Sequence, residues 1–148
     1  MEDKPNCIEH AFPLHWDLFL GCDHGKGVQQ FLDNYGVKEL SWEFQEFLRQ
    51  AKSCSLPMTE LYNRIHEIDC FRTEMLAFMH NYDILISPVF PKVAKPHGIG
   101  IKEISDFSYA MAHNLTGWPT VSIRCGTSVQ GLPINVQVAA KRWNDRTA

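Results

Sequence analysis

The sequence predicts an α/β protein in which helices pack on a small sheet. Between residues 57 and 82 apolar side chains recur every three or four positions, the period of one helix face. Three short runs rich in β-branched residues follow, at 83–88, 120–125 and 132–139. Glycine and proline concentrate between these runs, where a chain must turn. The 148 residues are 45% hydrophobic and 21% charged, which suits one globular domain and excludes a disordered chain.

The elements can be justified in order. Residues 12–27 are rich in aromatics, His and Gly without a sustained period, and no element is assigned there. A short helix fits 27–34, with Val28, Phe31 and Leu32 on one face and Gly36 ending it as a C′ glycine. A second fits 41–51, with Ser41 as N-cap and Phe44, Phe47 and Leu48 as its stripe. The long helix begins at Pro57 and carries Leu61, Ile65, Ile68, Phe71, Met75, Phe78 and Tyr82 on one side. Its roughly 24 residues would span about 36 Å, more than a domain of this size needs. The run 83–88 reads as a strand buried on both faces. A Pro/Gly-rich loop follows over 90–100, then a short helix over 107–115 that Gly117 and Pro119 break. The last two strands are joined by the hairpin-type loop 126–131.

Residue types alone give no catalytic constellation. Ser128 sits in GTSVQG, one residue off the spacing of a nucleophile elbow, and is best read as a loop serine. GCDHGKG at 21–27 is too short for a phosphate-binding loop and lacks the Ser/Thr after its lysine. Cys7, His10, His15, Cys22 and His24 lie near one another in sequence, but an apolar stretch separates them and no paired knuckle follows, so no metal site is expected. Cys70 reads as a core thiol beside the long helix's apolar face. Cys125 ends a strand and is the one thiol in a site-like place, the basis for a thiol-hydrolase reading with some histidine. His66, Glu67, Asp69, Arg72 and Glu74 make a solvated helix face. No Lys/Arg block suggests nucleic acid, and no apolar run approaches the ~20 residues of a membrane span. The N-terminus lacks a signal-peptide pattern, so the sequon at Asn114 carries no weight. Five irregularly spaced cysteines suit a reducing interior, and a cytoplasmic location is expected.

Longer motifs carry more. FSYAMAHNLTGWPTVSIRCG at 107–126 and GLPINVQV at 131–138 resemble the late conserved stretch of the amidase signature family. YDILISP at 82–88, with the proline-rich loop after it, is similar to that family's preceding strand. His66, Glu67, Ile68, Phe71 and Arg72 resemble its preceding helix, with features of the fatty-acid amide hydrolase branch, and 23–36 fits the region upstream. Two positions depart from the pattern: Arg124 stands where proline is common, and Asn135 where glycine is common.

The resemblance implies an α/β fold around a mixed sheet, of which about three strands are present. It also implies hydrolysis of linear amide C–N bonds, through an acyl-enzyme on a serine activated by a cis-peptide serine and a lysine. Those elements lie upstream of the matched part. The expectation is therefore that residues 1–148 form one partial amidase domain, the C-terminal portion, begun at an internal methionine. It would lack the catalytic residues and be inactive alone, with no role carried over to Lys26 or Lys92. Val89 and Phe90, after the strand 83–88, are expected to wall the acyl side of a substrate site, the competing reading being ordinary loop packing. The implied ligand is a small-molecule amide, with no cofactor and no metal. The alternative is a non-catalytic interaction module that associates, with itself or a relative, through its uncovered sheet edge.

Overall fold

The computed structural model describes residues 3–21, 23–54 and 56–148. Helix α1 (Ala11–Trp16) runs directly into a π-helical turn, Asp17–Gly21. The aperiodic reading of 12–27 is corrected here: Phe12 and Trp16, one helical turn apart, stack at 5.9 Å and form a face that hydrophobic counting passed over.

Helix α2 (Lys26–Asn34) starts where the Asp23 carboxylate accepts from the Gly25 and Gly27 N–H groups at 2.8 and 2.7 Å. It ends on Gly36 (φ +65°), with Gly36 N–H donating to Asp33 O and Val37 N–H to Leu32 O, the paired bonds of a Schellman stop. Helix α3 (Trp42–Ser53) is capped as expected, Ser41 Oγ accepting from Phe44 N–H at 3.3 Å.

Helix α4 (Met58–Phe78) follows Pro57 and spans 21 residues, about 32 Å, before a 3-10 turn over Met79–Asn81. Only its second half is covered. Ile68, Phe71 and Met75 are buried, whereas Met58, Tyr62 and Ile65 are exposed, so the apolar stripe outruns the core. That core lies between α1, α4 and helix α5 (Ser108–Thr116): Cys7, Ala11, Leu14, Ile68, Phe71, Met75, Met79, Met111, Ala112, Leu115 and Trp118 form one buried cluster.

Strands β1 (Ile84–Pro88), β2 (Thr120–Thr127) and β3 (Pro133–Ala140) form a sheet in the order β1-β3-β2. The resemblance implied a mixed sheet; both pairings among these three strands are antiparallel. β2 and β3 are the expected hairpin, with a register shift between Arg124 and Gly126. One face turns toward α5, where buried Gln137 donates to Ser87 Oγ and Tyr109 O, both at 3.0 Å. The register and the two-residue side-chain period put Ile84, Ile86, Val121, Ile123, Val136 and Val138 together on the other face. Here the strand reading is corrected. β1 is not buried on both sides: Ile86 is 59% exposed, because no element among the described residues covers that face.

Candidate substrate groove

Pro88 ends β1 and delivers Val89 and Phe90 to the head of the long loop. Val89 and Phe90 line a cavity of about 520 Å³ with Pro133, Ile134 and Asn135 from the start of β3. Phe90 also walls a second, more apolar groove of about 630 Å³. Its ring meets Phe107 edge-on at 5.2 Å. Phe44 and Phe47, 5.5 Å apart on α3, also line it, with Ile101 and Ile104, and Glu43, Lys95 and His97 contribute polar lining. Gly98 (φ +84°) seats the loop's far end on Trp42: a Cβ there would stand 2.9 Å from the indole.

Sequence reasoning missed what holds this groove. Residues 100–107 are two 3-10 pieces joined at a kink at Glu103, where the helical backbone breaks. Lys92 and Lys95 reach across from the loop to Glu103 and Asp106. Lys95 Nζ lies 2.7 and 2.6 Å from the two carboxylates, Lys92 Nζ 3.2 and 2.9 Å. The two lysines hold Asp106 below the usual carboxylate range by hydrogen bonding, and Glu103 likewise. A signal existed: the two lysines and the two carboxylates are each spaced i,i+3, with opposite charge in the two segments.

The other candidates have structural employment. Ser128 Oγ accepts from Gln130 and Leu132 N–H, stapling its loop. In the glycine loop 21–27 the N-terminal amides of α2 are already taken by Asp23, and Cys22 lies outside the described residues. The described thiols and histidines of 7–24 have separate surroundings. Cys7 is buried, its thiol pushed up to about 11 chiefly by burial; His15 stacks on Phe19; and His24 Nδ1 is 3.4 Å from Lys52 O. Among the described residues no three His, Cys, Asp or Glu side chains converge as metal ligands would. Cys70 is exposed, 3.7 Å from His66 Nε2, which corrects its reading as a core thiol: it sits one position behind Phe71 and so turns outward. Cys125 is exposed with Sγ 3.4 Å from Ile134 O. Of the two departures, Arg124 bonds Gly126 O and Thr127 Oγ1 rather than a carboxylate, bracing the register shift, and Asn135 donates across the hairpin to Ser122 Oγ. Sequence reasoning also missed His113, a helix histidine 7% exposed whose Nδ1 has no hydrogen-bond partner; burial lowers its pKa.

The amidase family profile matches residues 22–148. This chain belongs to the amidase family. It is 27% identical over 118 residues to fatty-acid amide hydrolase 2-A of Danio rerio, a match covering 72% of this chain and 22% of that protein. It is 25% identical over 139 residues to human fatty-acid amide hydrolase 2, covering 93% of this chain and 23% of that protein. A solved fatty acid amide hydrolase superimposes with a TM-score of 0.74 at 17% identity, over 99% of this chain and 31% of that one. The amidase chain thus has the amidase-signature fold of the family's C-terminal portion, and it spans less than a quarter of the length of these two curated relatives. No helix among the described residues is long and apolar enough to cross a membrane.

Proposed function

We propose that this amidase chain supplies the acyl-binding wall of an amide hydrolase acting on linear amides with an extended apolar acyl group. The observation that carries the reading is the groove between α3 and residues 90–107. Its six apolar walls suit a hydrocarbon chain, and it lies within the family-matched region. The names of the fatty-acid amide hydrolase relatives support the same substrate class. Val89 and Phe90 contribute to the acyl side. The serine, cis-serine and lysine of the implied mechanism belong to another part of the fold, so residues 1–148 form a partial domain that is not catalytic alone. The free thiols at 7, 54, 70 and 125 support a cytoplasmic location. The test is incubation of the purified chain with a fluorophosphonate probe and octanamide. Neither labelling nor hydrolysis is expected, while octanamide binding is. Turnover with labelling at one serine would overturn the division of labour, and absence of octanamide binding would overturn the groove.

A second reading, a non-catalytic interaction module, is favoured by the open sheet face at Ile84, Ile86, Val121 and Ile123. On that reading the chain associates with itself or with a relative through this face or the edges of β1 and β2. Sedimentation velocity across a concentration series, with and without Ile86→Lys, separates the two.

A further inference from the structure

Of the four charges in the clamp, Lys95 is the inner one. Its side chain is 11% exposed and that of Asp106 16%, whereas Lys92 is more than half exposed. Lys95 also donates to the Glu103 carbonyl at 3.2 Å, at the residue where the 3-10 backbone breaks. The same ammonium lies 5.1 Å from the centre of the Phe90 ring. One group therefore ties together the aromatic wall, the kink beneath it and both carboxylates. Two ammoniums face two carboxylates, and Glu43 and His97 also line the groove, so neither lysine is left free to attract an anionic ligand and the groove suits a neutral one.

We propose that Lys95 is a positioning residue: by holding Phe90 against Phe107 it fixes the groove's width, so that the site takes the linear acyl chain of a neutral amide in preference to a compact one. Burying the lysine stem while its head spans two carboxylates gives a rigid attachment that a hydrophobic contact alone would not. Phe90 can then present a constant wall, and a linear chain gains contact area along its whole length. The inference rests on reading the groove as the acyl site.

The experiment is calorimetric titration of the full chain with octanamide, with the branched, compact pivalamide, and with octanoate. The wild-type chain should bind octanamide above the other two, and Phe44→Ala should weaken it. Lys95→Met should weaken octanamide about tenfold with little change in pivalamide, and Lys95→Arg should recover most of the loss. Since Lys95 acts through Phe90, the double variant Lys95→Met/Phe90→Ala should bind octanamide no worse than Phe90→Ala. Should Lys95→Met fail to fold, Asp106→Asn loosens the same clamp and should give the same loss of preference. If octanamide binds and Phe44→Ala weakens it, but the clamp variants leave the octanamide-to-pivalamide ratio unchanged or add to Phe90→Ala, the role of Lys95 is overturned and the groove stands. If the wild-type chain binds no octanamide, the groove itself is overturned. Tighter binding of octanoate would overturn the neutral-ligand assignment.

Discussion

The core beneath α4 and the groove beside α3 are both apolar, yet they are closed by different means. In the core, Met75 and Met79 are fully enclosed by side chains of α1, α4 and α5. Around the groove, four phenylalanines remain partly open and are held from outside, by a serine cap, a glycine seat and a four-charge clamp. Burial is the main support of the first region. In the second, polar contacts keep apolar surface in place without covering it, as the proposed acyl site would require.

Truncation should split the two most sharply. Met75→Ala removes a side chain with no exposure and should cost about 2–5 kcal/mol, read as a lower urea midpoint at constant slope. Phe44→Ala should cost well under half of that, because its ring already faces an open groove, while its loss should be plain in octanamide binding. Equal losses of stability would make the groove an ordinary part of the core. A smaller and more local effect is expected at Gly98. Gly98→Ala meets both a positive φ and the Trp42 ring, so a loss of about 1–2 kcal/mol is expected, accompanied by a change in tryptophan fluorescence as the indole is displaced.

The same division explains what could be read from sequence. The core was legible because it is periodic: Ile68, Phe71 and Met75 fall at helical spacing, and their burial follows from it. The Ser41 cap, the Gly36 stop and the β2–β3 hairpin were legible because each depends on residues close in sequence. The groove was only half legible. Phe90 could be placed from the strand that ends at Pro88, but its partners come from residues 101–107, across an irregular loop, and from α3, more than 40 residues earlier, and no local pattern links these segments. The burial of β1 was misjudged for a related reason. A run of Ile, Leu and Ile records a face that can be buried, not whether an element in this chain buries it. Cys70 failed by one position, since a helix turns 100° between neighbours and its neighbour Phe71 took the core side.

Acid should reach the two regions in separate windows. His113 in the core is neutral in the folded chain because burial lowers its pKa below the ordinary 6.5; His15 is lowered for the same reason. Each therefore takes up a proton more readily when unfolded, so stability is full above pH 6.5 and falls as the pH drops through that value toward the folded one. The slope per histidine is at most about 1.4 kcal/mol per pH unit. In the groove the sign is the same, but the window lies lower. Lys95 and Lys92 lower the pKa of Asp106 below its ordinary 3.8 and that of Glu103 below 4.5, so the clamp's contribution is complete above those values. It is lost only as the pH falls through the lowered folded ones. Urea midpoints measured between pH 7 and pH 5 should thus decline in the wild-type chain, and His113→Gln should flatten much of that decline. Octanamide affinity of the still-folded chain should stay level over the same interval. A parallel fall of affinity and stability between pH 7 and pH 5, flattened in both by His113→Gln, would mean that the groove is coupled to the core's titrating group, and the two regions would then have to be treated as one.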